Sequence, residues 1–360
     1  MVINRRQFTA GSLALIGMAG PAKWAVAAET GARFAGTAKS GNGYVAAVYN
    51  ANGQILREFL LEGRGHGLAL SPDGQTLAVF ARRPGYYIRL YGLNDGRLIR
   101  DIHPAADRHF YGHGIFAPNG DILYATENDF EGERGVIGIY DAARNFVRIG
   151  EYETGEIGPH ELVLMQDQKT IAVANGGIAT HPDFPRQKLN LFDMTPSLSY
   201  LDRESGEKLQ EARLPDELHQ LSIRHLAEGP DQTIWFAGQF QGSRQQITDI
   251  IGYHRRGMDQ PQMIQLEAGL TARLHNYGGS VSCNLKTGKV AVTSPRGGVV
   301  LIFDGRTRQL EQVLESADIC AVSPFDKSFI ASTGQGEILD LPHETSSLTK
   351  LLWDNHAIAL

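Results

Sequence analysis

The chain is expected to be all-β: a seven-bladed β-propeller closed by its C-terminal strand pairing with the N-terminal blade. Three observations lead there. Short strand patterns separated by Gly, Asn and Asp turns fill the sequence, with little helical periodicity. One unit, strand then polar turn then strand, recurs along the chain. The last residues, "HAIAL" at His356 to Leu360, repeat the start of that unit, "HGLAL" at His66 to Leu70.

In order, the unit reads "HGLALSPDGQTLAVF" (66–80), "HGIFAPNGDILYAT" (113–126), "HELVLMQDQKTIAVA" (160–174) and "HLAEGPDQTIWFAG" (225–238). Weaker copies are "GSVSCNLKTGKVAVT" (279–293) and "DICAVSPFDKSFIAS" (318–332). Two further strands fit between copies, and four strands at a period of about 40–50 residues are the mark of a propeller. The longest interval holds the loop "NGGIATHPDFPRQKLN" (175–190) of blade three. Before His66 the sequence offers three strands, Ala32–Ser40, Tyr44–Asn52 and Gln54–Leu61, and lacks an inner one. "HAIAL" supplies it. Joining the ends closes the ring and leaves no free strand edge.

The first residues follow a different rule. Arg5-Arg6 precede a small, apolar stretch, Phe8 to Gly20, and Ala25-Val26-Ala27 is an A-x-A cleavage signal. "NRRQF" resembles the twin-arginine export motif. Residues 1–27 are therefore expected to be a Tat signal peptide, with 28–360 a propeller in the periplasm. No other apolar stretch approaches the length of a membrane span. With a net charge of -6 and no block of Lys or Arg, nucleic acid is not an expected partner. A monomer is expected. The two cysteines can pair or remain buried thiols.

Aligned on their first residue, the copies place His66, His113, His160, His225, Gly279, Asp318 and His356 around the seven blades. Inner strands line the central channel, so these positions form a ring at one mouth. Imidazole suits Zn, Cu, Fe and Ni, which makes the five histidines and Asp318 candidate metal ligands. By topology, His109, His219 and His275 fall in blade-to-blade loops on the same face, and His181 falls in the long loop of blade three. These four are candidates to complete the coordination. Glu161 beside His160, and Asp183 near His181, are placed to orient imidazoles.

Repeats of the WD type also carry a Gly-His pair, but there it lies well before the inner strand and a Trp-Asp pair closes the blade. Here the third strand of blade one ends "RLYGLNDG". There is no H-E-x-x-H, C-x-x-C or EF-hand loop. Cys283 and Cys320 lie four and two residues below their ring positions and read as small buried hydrophobes. The ring is expected to be solvated and too wide for every histidine to reach one ion. Metal binding is expected to weaken as pH falls through about 6.5.

The twin-arginine leader, the "GHG" blades and the "NGGIATHPD" loop resemble a bacterial family catalogued as domain of unknown function 1513, over essentially the whole mature chain. The resemblance implies a periplasmic location, a propeller, and association with periplasmic iron-uptake proteins of the imelysin kind. The histidine ring also resembles, in architecture, the multi-histidine copper site of nitrous oxide reductase, although the cupredoxin domain of that enzyme has no counterpart here. The resulting expectation is a periplasmic metal-binding propeller, for iron or copper rather than zinc, acting in metal acquisition or an associated redox step. The alternatives are a metal-dependent hydrolase or lactonase, whose sites mix carboxylate and amide oxygens, and a metal-free scaffold for a protein partner.

Overall fold

The hairpins begin in the turn chemistry. In Ser71-Pro72-Asp73-Gly74 the Gly74 amide donates to Ser71 O at 2.8 Å, and Gly74 sits at φ +69°. Gly120 repeats this in blade two, with φ +76° and its amide 2.9 Å from Ala117 O. Such left-handed positions carry no steric penalty only for glycine.

The computed structural model describes residues 31–184, 187–341 and 345–360; the expected leader and His343 lie outside them. The described strands form seven four-stranded antiparallel sheets. Blade one comprises Gly65–Leu70, Thr76–Ala81, Ile88–Gly92 and Leu98–Ile102, and the next five follow in chain order. Blade seven runs in the order Leu352–Ala359, Arg33–Ser40, Gly43–Asn50, Ile55–Leu61, so the last strand is its inner strand. Phe34 pairs with Ala359 and Ala38 with Trp353, and the Leu360 amide donates to Arg33 O at 2.8 Å. Trp353 is buried against Tyr49, with ring centroids 4.7 Å apart, and fills the space over Gly36.

Apolar side chains between neighbouring blades make the core. Phe80 of blade one lies so close to Gly114 of blade two that a Cβ there would stand 2.3 Å from its ring. Blades four and five meet through Trp235 and Phe303, at 5.4 Å. One short helix, Ala268–Arg273, which no sequence pattern announced, precedes the inner strand of blade five; Glu267 caps its start by accepting from the Leu270 amide.

The inner strands are not regular. In every blade that carries a ring histidine, the ladder slips at that residue or the one before it. His66 and Gly67 fall in a shift between Gly65 and Leu68. Tyr111 to His113 oppose Thr126 alone. His160 is the extra residue between Pro159 and Glu161, and Arg224 is the extra residue before His225. Asp354 to His356 oppose Thr37 alone. A bulge re-aims side chains away from the regular alternation of a strand. The inner strand of blade five, Ser280–Asn284, pairs without a shift and has no histidine.

Candidate metal centre

These bulges bring His66, His113, His160, His225 and His356 together. The five belong to five consecutive blades, and neighbouring rings have centroids as close as 4.4 Å (His66–His356), with His66 and His225 6.5 Å apart. His356 is the hub, at 4.4, 4.5 and 4.8 Å from His66, His113 and His225. All five are at most 8% exposed. This corrects the expectation of a solvated ring: the histidines form a contiguous buried cluster.

Two carboxylates hold the cluster from behind. Asp354 accepts from His66 Nδ1 at 3.3 Å and also binds Arg64 Nε. Burial alone would raise the Asp354 carboxyl, but the His66 bond and the Arg64 charge hold it well below the usual carboxylate range. Because a carboxylate only accepts, Nδ1 carries the His66 proton and Nε2 keeps its lone pair. Glu161 lies 3.2 Å from His225 Nδ1 and 3.7 Å from His113 Nδ1, bridging the blades on either side of its own. Burial pushes it up to about 8, against a hydrogen bond from the Leu226 amide. A cation nearby would draw off that proton.

Arg224 Nη1 stands 3.3 Å from His160 Nδ1. A guanidinium only donates, so His160 accepts there. Burial pushes Arg224 down to about 9, with Arg83 acting in the same direction. Burial also pushes His66 down to about 4 and His225 to about 3, and lowers His113, His160 and His356 well below 6.5. The imidazoles therefore stay neutral well below pH 6.5, which moves the expected acid loss of metal affinity to lower pH.

Three buried nitrogens, His113 Nε2, His225 Nε2 and His356 Nε2, have no hydrogen-bond partner among the described residues. Each such group costs about 1–3 kcal/mol. The same three histidines and Glu161 form one group whose ligand atoms lie within 4.8 Å of one another; His66, His113 and His160 form a second. Nitrogens about 2 Å from a shared ion stand at most about 4 Å apart, so movements of under about 1 Å would close either group. His113 belongs to both.

Other histidines lie outside these groups. His109 is in the strand Arg108–Phe116 and not in a loop; its Nδ1 donates to Phe110 O at 3.1 Å and its Nε2 accepts from Asn128 at 2.9 Å. His181 accepts from the Asp183 amide at 3.2 Å, close to the partner foreseen for it. His219 follows the turn Asp216–Leu218 with Nδ1 2.8 Å from Asp216 O. His275 is exposed at φ +48° after the short helix.

Asp318 is outside both groups as well, and the register explains why. Cys320 is the extra residue between Ile319 and Ala321, as His160 is between Pro159 and Glu161. Thr293 Oγ1 donates to Cys320 O at 2.7 Å, just as Thr37 Oγ1 does to His66 O at 3.2 Å and Thr126 Oγ1 to His160 O at 3.4 Å. The ring position of blade six is therefore Cys320, two residues beyond Asp318. Cys283 and Cys320 are both free thiols; burial pushes Cys283 up to about 12 and Cys320 higher still. Asp354 and Arg224 escaped the sequence reading. Their only signal was nearness to His356 and His225.

The family model described as protein of unknown function (DUF1513) matches residues 59–360. The chain belongs to the DUF1513 family. The match starts within Ile55–Leu61, the outermost strand of blade seven, and takes in the whole histidine cluster of this DUF1513 protein. Among solved structures, Kuenenia stuttgartiensis hydrazine synthase is similar, at 14% identity and TM-score 0.63, over 85% of this chain and 89% of that chain. That likeness supports the fold of this DUF1513 propeller and nothing more. No curated protein matches the chain.

Proposed function

We propose that this protein is a periplasmic metal-binding propeller that holds iron or copper, rather than zinc, and acts in metal acquisition or an associated redox step. The observation that carries the reading is that the three histidines grouped with Glu161 each keep a buried Nε2 with no partner among the described residues. His113, His225, His356 and Glu161 hold the principal ion; His66 and His160 join His113 for a second only when His160 Nδ1 gives up its bond from Arg224 and takes the proton, which frees Nε2. Imidazole-rich sets suit iron and copper, and both change oxidation state, as an associated redox step requires. When bound, the ion supplies redox or Lewis-acid chemistry, while Asp354 orients the His66 ring. The Arg5-Arg6 leader supports export through the Tat route, and periplasmic iron-uptake proteins are the partners proposed.

Elemental analysis of protein purified from its native periplasm tests this directly. The expected result is at least one iron or copper per chain, lost in the His113→Ala/His356→Ala variant with the β-sheet circular dichroism retained. Zinc in place of iron or copper would overturn the choice of metal. No bound metal would leave the scaffold reading.

A further inference from the structure

Beside the histidine cluster lies a cleft of about 710 Å³ whose lining includes Arg82, Arg83, Lys188, Arg224, Arg244 and Arg296. No Asp or Glu lines it. Elsewhere in the fold arginines meet carboxylates, as in Arg64–Asp354, Arg134–Asp129 and Arg148–Glu127. None of the six cations in the cleft has such a partner among the described residues; Arg296 instead stacks on Tyr277, 4.2 Å from the ring centroid. Burial and the neighbouring Arg224, Arg83, Arg296 and Arg244 all push the Lys188 ammonium below its ordinary value, so these charges oppose one another.

Arg224 is decisive. It is 4% exposed, lines the cleft, touches His160 through Nη1, and has no partner for Nε among the described residues. A buried guanidinium without a carboxylate is strongly unfavourable, and among the described residues only the bond to His160 offsets it. Gln239, Gln241 and Tyr277 add neutral polar groups to the same wall.

We infer that the cleft binds a small polyanion carrying two or more carboxylate or phosphate groups, with Arg224 and Arg83 at its inner end and Lys188, Arg244 and Arg296 toward the opening. Planar guanidinium forks match such oxyanions in bidentate fashion. The anion comes either free or as the chelating shell of a metal delivered to the histidines. The site itself does not depend on the metal-binding reading.

Calorimetric titration of the folded, metal-stripped chain at low ionic strength tests it, with citrate, inorganic phosphate and acetate as probes. Citrate should bind at least about tenfold more tightly than acetate, and added salt should weaken it. Arg224→Met should lose at least about tenfold in citrate affinity. Arg83→Ala/Arg244→Ala, at less buried positions, should do the same and covers the case in which Arg224→Met fails to fold. Ferric citrate binding no more tightly than citrate would assign the free anion; tighter binding that falls to the citrate level in His113→Ala/His356→Ala would assign the chelate. Absence of citrate and phosphate binding, or citrate affinity unchanged in the folded arginine variants, would overturn the inference. Because the citrate titration uses no metal, its failure would leave the histidine centre untouched.

Discussion

The His66 and His356 imidazoles pack edge to face, 4.4 Å between centroids, although one lies on the inner strand of blade one and the other on the final strand. The strand that closes the ring thereby also inserts the hub of the cluster. Closure and assembly of the site are one structural event.

Deleting Asn355 to Leu360 should therefore abolish both. It removes His356 and leaves the inner edge of blade seven unpaired along Phe34 to Gly36. Loss of soluble protein on expression is the expected outcome. Trp353→Ala separates the two effects, because it spares the histidine. Burying an aromatic side chain of this kind is worth about 3–5 kcal/mol, which urea denaturation will show as a lowered midpoint. A truncation with an unchanged melting temperature would refute the pairing.

Asp354→Asn should leave the fold intact and lower metal affinity about 10–100-fold. The amide cannot hold both the His66 Nδ1 proton and Arg64 as the carboxylate does, so the ring loses its fixed tautomer. Competition with a chelator of known affinity measures the effect.

Stability of the metal-stripped protein should peak near pH 6.5. Burial lowers His66 to about 4 and His225 to about 3, so between pH 6.5 and those values the unfolded chain holds more protons than the folded one. Their contribution is full above about 6.5 and is lost as the pH falls through that window, on the order of a few kcal/mol. Glu161 acts in the opposite sense. Raised to about 8, it makes folding favour the protonated form, so its contribution grows as pH falls from 8 toward 4.5. Five depressed imidazoles outweigh one raised carboxyl below pH 6.5. Urea midpoints measured from pH 8 to pH 4 check the sign, and a monotonic rise on acidification would contradict it.

The thiols should be nearly inert in the native state. Burial raises both Cys283 and Cys320, so almost no thiolate is present at pH 8. A thiol-reactive disulfide reagent should titrate two groups per chain rapidly in denaturant and react far more slowly without it. Equal rates would show that the inner strands open readily.

The propeller was legible in the chain because its determinants are local. Turns such as those at Gly74 and Gly120 and the alternation within each strand are set by residues a few positions apart, and "HAIAL" repeats the short pattern of "HGLAL" at the other end of the chain. The five ring histidines were legible for the same reason, as was Glu161 as an orienting group. The placement of His109 in a loop failed because the inner strand of blade two begins earlier, at Arg108.

What tertiary structure alone decided is where those residues point and what surrounds them. A bulge adds a residue without marking the sequence, so alignment on strand starts put Asp318 where Cys320 stands. The same slips turn His66, His113, His160, His225 and His356 from an open ring into contact, and burial then keeps them neutral. Asp354 and Arg224 take their roles from that geometry. Periodicity and turn chemistry act over neighbouring residues and so determined the blades and their order. Contact between residues on different blades depends on backbone offsets that only the closed ring sets, and those offsets made the site.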